Sequence, residues 1–70
     1  MNVEMLKDKM NISRKSVESL ATYLGINVAT LYRKMNGKSD FTRNEILLIM
    51  AFLCLSNDEV FAIFFAKELA

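Results

Sequence analysis

The chain has 70 residues and a formal net charge of +1, is 53% hydrophobic, and contains no proline, two glycines and one cysteine. Its length allows one domain, and the shortage of turn residues argues against a β-rich fold and for a few helices joined by short polar loops. The single cysteine excludes an intramolecular disulfide and favours a reducing, cytoplasmic setting, and no uncharged apolar run reaches the ~20 residues of a membrane span.

The N-terminal half predicts two helices. The first covers about residues 2–10, where apolar side chains recur at spacings of three and four. The second covers about residues 17–24, after Ser16, whose hydroxyl suits an N-cap. Gly25 follows it, and a glycine that can take left-handed dihedral angles is typical of a helix end.

A third helix is predicted over residues 28–35, between the cap residue Asn27 and the stop residue Gly37. Two later helices carry clearer start signals. Thr42 with Glu45 forms a capping box for a fourth helix that runs to about residue 54 or 55. Ser56 with Glu59 forms a second box for a fifth helix that continues to the C-terminus and includes Leu69.

Residues 16–37 have the pattern of a helix-turn-helix, in which two helices are joined by a short turn that contains glycine. Ala21 is a small residue where the second helix crosses the first, Gly25 permits the turn, and Ile26 can be buried beneath it. The sequence therefore predicts an all-α fold, a compact bundle of four to five helices that contains this motif in a single domain.

Charge is unevenly divided along the chain. Residues 9–43 carry seven basic and two acidic side chains, a balance of +5, whereas residues 44–70 carry one basic and four acidic side chains, a balance of −3. This asymmetry suits a protein with one surface on nucleic-acid phosphates, although small proteins also show lopsided charge by chance.

Part of the sequence resembles the helix-turn-helix of small phage repressors and Cro-like regulators. The residues that carry the resemblance are Leu20-Ala21-x-x-Leu24-Gly25-Ile26 and Thr30-Leu31-x-Arg33-Lys34-Met35-Asn36-Gly37-Lys38-Ser39. The following Asp40-Phe41-Thr42-x-x-Glu45-Ile46 is similar to the continuation in prophage-encoded regulators of Gram-positive bacteria. The resemblance covers about residues 16–65 and implies a lambda-repressor-like fold, sequence-specific binding of double-stranded DNA and regulation of transcription in a bacterial host cell.

The chain departs from that family at one position. Members often have a glutamine at the start of the first motif helix, where it contacts a phosphate and braces the recognition helix. Here the position is Val17, preceded by Ser16. The Ser16 hydroxyl and the backbone N–H groups of the helix start can take the phosphate instead.

The resemblance implies base-edge contacts from the recognition helix, residues 27–35, at Asn27, Val28, Ala29, Tyr32 and Arg33. Helical periodicity independently predicts an exposed side made of Ala29, Thr30, Arg33 and Lys34. Arg33 is in both sets, and an arginine can bond guanine O6 and N7 together. The alternatives are a solvated Arg33, a Val28 that belongs to the core, a partly buried Tyr32 and an Asn27 that only caps the helix.

The phosphate contacts are expected from polar and basic residues on both sides of the recognition helix: Arg14, Lys15, Ser16, Thr30, Asn36, Lys38 and Arg43. For any one lysine or arginine among them, the alternative is a charge that only keeps the surface soluble.

No catalytic or metal centre is predicted. Histidine, a glycine-rich phosphate loop and clustered carboxylates are missing, so we expect neither an enzyme nor a cofactor. The methionines fall in apolar helical surroundings as gap fillers, and Cys54, without a second ligand, is expected to be a buried free thiol.

The fifth helix is apolar over more than the ~100° stripe that a core-facing helix needs. A homodimer interface is predicted at Val60, Phe61, Phe64 and Phe65. Repressor-type proteins bind two half-sites one helical turn apart, which requires a two-fold dimer. The alternatives are a core that absorbs all of these residues, or a protein-interaction module of the antirepressor or antitoxin kind that binds another protein through this helix.

Overall fold

The computed structural model describes residues 1–65 of the chain, and every regular element within them is helical, which confirms the predicted all-α bundle. The elements are α1 (Val3–Ile12), α2 (Val17–Leu24), α3 (Val28–Met35), α4 (Arg43–Leu53), α5 (Asn57–Val60) and a π-turn (Phe61–Phe65). In the part of the chain that the structure describes, no helix combines the length and the apolar character needed to cross a membrane.

All five α-helices begin at a side chain whose oxygen accepts a backbone N–H from the first turn, at 2.8–3.1 Å. Both predicted capping boxes are present, because Glu45 and Glu59 accept the backbone N–H of their own cap residues at 2.8 and 2.9 Å. A third box at Ser16 was not predicted, since it uses Ser19 in place of an acidic residue. These local bonds fix the helix starts at or within one residue of the predicted positions.

The first four helices end in the same way. A residue one or two positions past the end of each helix takes a positive φ between 55° and 81°. The N–H of the residue that follows it donates to the carbonyl five residues earlier in the chain, at 2.9–3.0 Å. This is the bond of the Schellman motif. The left-handed residues are Arg14, Gly25, Gly37 and Cys54. The sequence identified only the two glycines, because the other two residue types rarely adopt this conformation.

Cys54 is exposed, so the expectation of a buried thiol is wrong. The residue does not extend the apolar stripe of α4, because it leaves the helix in the left-handed conformation. The next residue, Leu55, is buried instead, and its N–H bonds Met50.

The core contains one fully buried side chain from each of five elements: Leu6 of α1, Leu20 of α2, Leu31 of α3, Ile49 of α4 and Ile63 of the π-turn. Seven further apolar residues within 1–65 belong to it: Met10, Ala21, Met35, Ile46, Leu53, Leu55 and Val60. Each element is therefore held to the others by burial of at least one apolar side chain.

The predicted fifth helix starts at its capping box but does not continue as a single α-helix. It has four α-helical residues and then widens into the π-turn, and its predicted extension through Leu69 lies outside the described residues. The run Phe61–Phe65 has no polar side chain, so hydrophobic periodicity could not distinguish the two kinds of helix. The Ile63 carbonyl accepts the N–H of Asn2 at 2.7 Å, which ties the chain start to this turn.

Candidate nucleic-acid interface

The turn Gly25-Ile26-Asn27 joins α2 to α3, as the sequence predicts. Gly25 has φ 75°, and the N–H of Ile26 bonds the carbonyl of Ala21 at 3.0 Å. Ala21 is 2% exposed, which allows the close approach of a second helix. Ile26 is half-buried and packs against the core, so an apolar side chain anchors the turn.

The solvent side of α3 carries most of the predicted base-contacting residues. Asn27, Ala29, Tyr32 and Arg33 are exposed, with Tyr32 45% exposed, whereas Val28 is half-buried and packs against the core. Within residues 1–65, no hydrogen bond or ion pair engages the Arg33 side chain. Its guanidinium group can therefore meet a ligand without first breaking a hydrogen bond or ion pair to another described residue.

Asn27 has two separable functions. Its side-chain oxygen accepts the N–H of Thr30 at 2.8 Å and caps α3. The cap leaves the amide NH₂ group as a donor that faces solvent, because the residue is exposed. The same residue can therefore hold the helix start and donate a hydrogen bond outward.

One group of predicted phosphate contacts surrounds the start of α2. Arg14, Lys15 and Ser16 are all exposed. The Lys15 ammonium lies 4.8 Å from the centre of the Phe52 ring, which stacks on Tyr23 at 4.4 Å. This cation–π contact restrains Lys15 at the surface of α4.

A cleft of about 310 Å³ is lined by residues of α1, the start of α2 and α3. Its lining includes Lys15, Ser16 and Val17 as well as Tyr32 of α3. Lys7 of α1 also lines this cleft, and the sequence could not have placed it there because the position of α1 depends on tertiary packing. The cleft adds one basic side chain to the predicted group.

The second group of predicted phosphate contacts follows α3. Asn36, Lys38 and Arg43 are exposed, and Thr30 on the helix itself is half-buried. Asn36 ends α3, and Arg43 begins α4. Basic and polar side chains therefore lie both at the start of α2 and beyond the end of α3.

Lys34 does not belong to the exposed side of α3, contrary to the prediction from periodicity. Its ammonium is 3.0 Å from a carboxylate oxygen of Glu45, and the two side chains are only 12% and 13% exposed. It also donates to the carbonyl of Asp40 at 3.0 Å. Burial raises the pKa of Glu45, but the Thr42 N–H and the Lys34 ammonium outweigh this effect and hold the pKa below its ordinary value.

The four residues of the predicted dimer interface are not equivalent. Val60 is only 8% exposed and belongs to the core, and Phe64 is half-buried with its ring edge-on to Phe41 at 5.5 Å. Phe61 and Phe65 are 61% and 53% exposed, and their ring centres are 6.5 Å apart. We call these last two residues the phenylalanine patch.

Within residues 1–65, no three cysteine, aspartate or glutamate side chains are grouped closely enough to hold a metal ion. No family model, curated protein sequence or solved structure matches the chain. A functional assignment therefore depends on the placement of the chain's own side chains.

Proposed function

We propose that the chain is a sequence-specific transcriptional regulator that binds double-stranded DNA and reads the major groove with α3. The observation that carries the proposal is the exposed Arg33 on α3, which forms no ion pair with any residue from 1 to 65, together with exposed basic residues at the start of α2 and after α3. The resemblance to phage repressors and Cro-like regulators supports the same function, in the cytoplasm of a bacterial host cell. In this proposal the chain acts by binding, without catalysis or a cofactor.

The base-reading roles follow from exposure and chemistry. Arg33 bonds guanine through two N–H groups, Asn27 donates from its amide NH₂, and Ala29 contacts a thymine methyl group. Tyr32, at the edge of the cleft beside α2, contacts either a base edge or the adjoining backbone. Val28 is the weakest of the proposed contacts, because its side chain is half-buried.

The phosphate-binding roles belong to the two groups described above, one at the start of α2 and one on and after α3. Lys7, Arg14, Lys15 and Ser16 would contact one stretch of the DNA backbone. Thr30, Asn36, Lys38 and Arg43 would contact another. Such contacts position the protein on the duplex, whereas the base contacts give it sequence preference.

The test is Arg33→Ala, with Arg43→Ala as the matched control. Duplexes selected by the wild-type protein from a randomised library are compared with scrambled duplexes by fluorescence anisotropy at several salt concentrations. We expect Arg33→Ala to lose about 1–3 kcal/mol on the selected duplex and much of its preference over scrambled DNA. Arg43→Ala should weaken binding to both duplexes equally and flatten the slope of log K against log salt by about 0.9.

A wild-type protein that selects no sequence, or an Arg33→Ala protein as selective as the wild type, would contradict the proposal.

We further propose that two copies pair through the phenylalanine patch and so present two α3 helices to half-sites ~34 Å apart. The supporting observation is that these two rings remain exposed after the core has buried Val60 and Ile63. Phe61→Lys should shift the protein from dimer to monomer in sedimentation velocity. Leu47→Lys, at a residue that is 53% exposed on α4, is the control and should leave the mass unchanged.

The phenylalanine patch also supports a second candidate function, a protein-interaction module of the antirepressor or antitoxin kind. In that case the patch binds a different protein, and Arg33 has no role in DNA binding. A wild-type chain that is monomeric, selects no duplex and binds one partner only when Phe61 and Phe65 are intact would favour this candidate over the first.

A further inference from the structure

The C-terminal end of the recognition helix, α3, is anchored by a polar contact that was not predicted from the sequence. Lys34, in the last turn of α3, reaches across to Glu45 in the first turn of α4. Its ammonium also bonds the Asp40 carbonyl and lies 5.9 Å from the centre of the Phe41 ring. One side chain therefore connects α3, the segment between the helices and α4.

The Glu45 carboxylate also has two functions. The oxygen that contacts Lys34 at 3.0 Å also accepts the Thr42 N–H at 2.8 Å in the capping box. The ion pair is thus attached to the backbone at the start of α4 and not to a freely rotating side chain. With both partners nearly nine-tenths shielded from solvent, the contact is stronger and better oriented than an exposed pair.

We propose that Lys34 and Glu45 are positioning residues for DNA reading, and that neither of them touches DNA. This inference rests on the proposed function. The pair fixes the angle of α3 on the bundle, and that angle decides whether Arg33 and Asn27 reach base edges together. A lysine that helical periodicity predicts to be exposed is thereby assigned to the support of the helix.

The proposal predicts that removing one acidic side chain lowers the affinity for DNA. Removing an acidic side chain from a DNA-binding protein ordinarily tightens binding, because it reduces repulsion of the phosphates. Glu45→Gln should instead weaken binding to the selected duplex. Glutamine keeps the capping box, since it too can accept the cap N–H, so the substitution removes the charge that holds Lys34 and little else.

The experiment measures anisotropy on selected and scrambled duplexes for Lys34→Met, Glu45→Gln and the double variant, at several salt concentrations. We expect each single variant to lose about fivefold or more in affinity for the selected duplex, with the salt slope unchanged. The double variant should be no weaker than either single one, because both remove the same interaction. Lys34→Arg, which keeps the charge and the donors, should restore most of the affinity.

Glu18→Gln is the matched control, because Glu18 is an exposed glutamate in the first turn of α2. It should leave affinity unchanged or raise it slightly. Amide hydrogen exchange of the free proteins gives a readout that does not depend on DNA: Lys34→Met and Glu45→Gln should speed exchange at the end of α3 and leave α2 unchanged. It also identifies any variant that has unfolded.

The outcomes separate the two proposals. A Lys34→Met protein whose salt slope falls by about 0.9 makes Lys34 a phosphate contact and overturns its positioning role. A selective wild type with an equally tight Glu45→Gln variant, or with unchanged exchange at the end of α3, also overturns the positioning role alone. A wild type that selects no duplex overturns the proposed function and, with it, the role of the pair in DNA reading.

Discussion

At the scale of single residues, two side chains adopt a backbone conformation that their type disfavours. Arg14 and Cys54 have φ values of 57° and 55°, in the left-handed region where a Cβ atom crowds the backbone. The Schellman bonds that follow them compensate for this cost. Glycine at either position would make the same bonds without the steric penalty.

Cys54→Gly should therefore stabilise the protein, by about 0.5–1 kcal/mol, because it removes the left-handed penalty at an exposed position. Urea unfolding followed by circular dichroism measures the change. Ala51→Gly is the control with opposite sign, since Ala51 lies exposed within α4, where glycine costs about 1 kcal/mol. Equal losses in both variants would contradict the prediction.

Residue type and spacing predicted part of the backbone conformation, capping and exposure of these single residues. The left-handed Gly25 and Gly37, the caps and the exposure of Arg33 follow from local preference or from helical periodicity. The conformations of Arg14 and Cys54 do not, because tertiary packing imposes them against local preference. The partial burial of the Lys34 side chain depends on where α4 starts in space, which no pattern within α3 contains.

At the scale of elements, a carboxylate in the first turn of α4 connects that helix with α3. Glu45 accepts the cap N–H of its own helix and pairs with Lys34 of α3. Both contacts favour the charged form of the carboxyl and so lower its pKa. The two capping boxes with a glutamate were predicted from the sequence because their residues lie three positions apart in the chain. The contact with α3 is not local, and so only the structure reveals it.

Glu45→Gln should cost about 1 kcal/mol of unfolding free energy at pH 7, where the carboxylate is ionised and paired. Because its folded pKa lies below its unfolded pKa, the stabilisation is fully present above about pH 4.5 and is lost as pH falls through the folded value. The difference between wild type and variant should therefore shrink as pH falls below about 4.5, and vanish once the carboxyl is protonated in the folded state. Denaturant titrations at pH 7, 4 and 2.5 measure it, and a constant difference would contradict the assignment.

The C-terminal elements show where pattern reading fails at this scale. The start of α5 was predicted from its capping box, but the π-turn that follows lies in a run of seven apolar residues, from Val60 to Ala66 in the sequence. Within the same run, hydrophobic periodicity could not separate the side chains that belong to the core from those that face solvent. Val60 and Ile63 are buried, and Phe61 and Phe65 are not.

At the scale of the whole molecule, the bundle depends on the C-terminal turn as much as on the longer helices. Ile63 is among the fully buried side chains of residues 1–65, although it lies only two residues before Phe65, which is 53% exposed. The composition predicted an all-α bundle of this size, because a glycine-poor, proline-free chain has few ways to form sheets. It did not predict that the last described element would close the core.

Ile63→Ala should cost about 2–5 kcal/mol, because it leaves a cavity at the centre of the bundle. In a domain of 70 residues that loss is a large part of the total stability. Ile12→Ala, at a side chain that is 75% exposed, is the matched control and should stay within about 0.5 kcal/mol of wild type. Thermal unfolding of both variants decides whether the turn belongs to the core.

The bond between Asn2 and Ile63 also has a consequence during protein synthesis. Helix α1 packs chiefly against the π-turn, and Lys9 also pairs with Glu59, fifty residues later in the chain. At about 5–20 residues per second, the ribosome needs several seconds to complete the partners of α1 after making it. A helix of ten residues is marginal alone, so α1 stays unfolded on the nascent chain until Glu59 and Ile63 have been made and can pack against it.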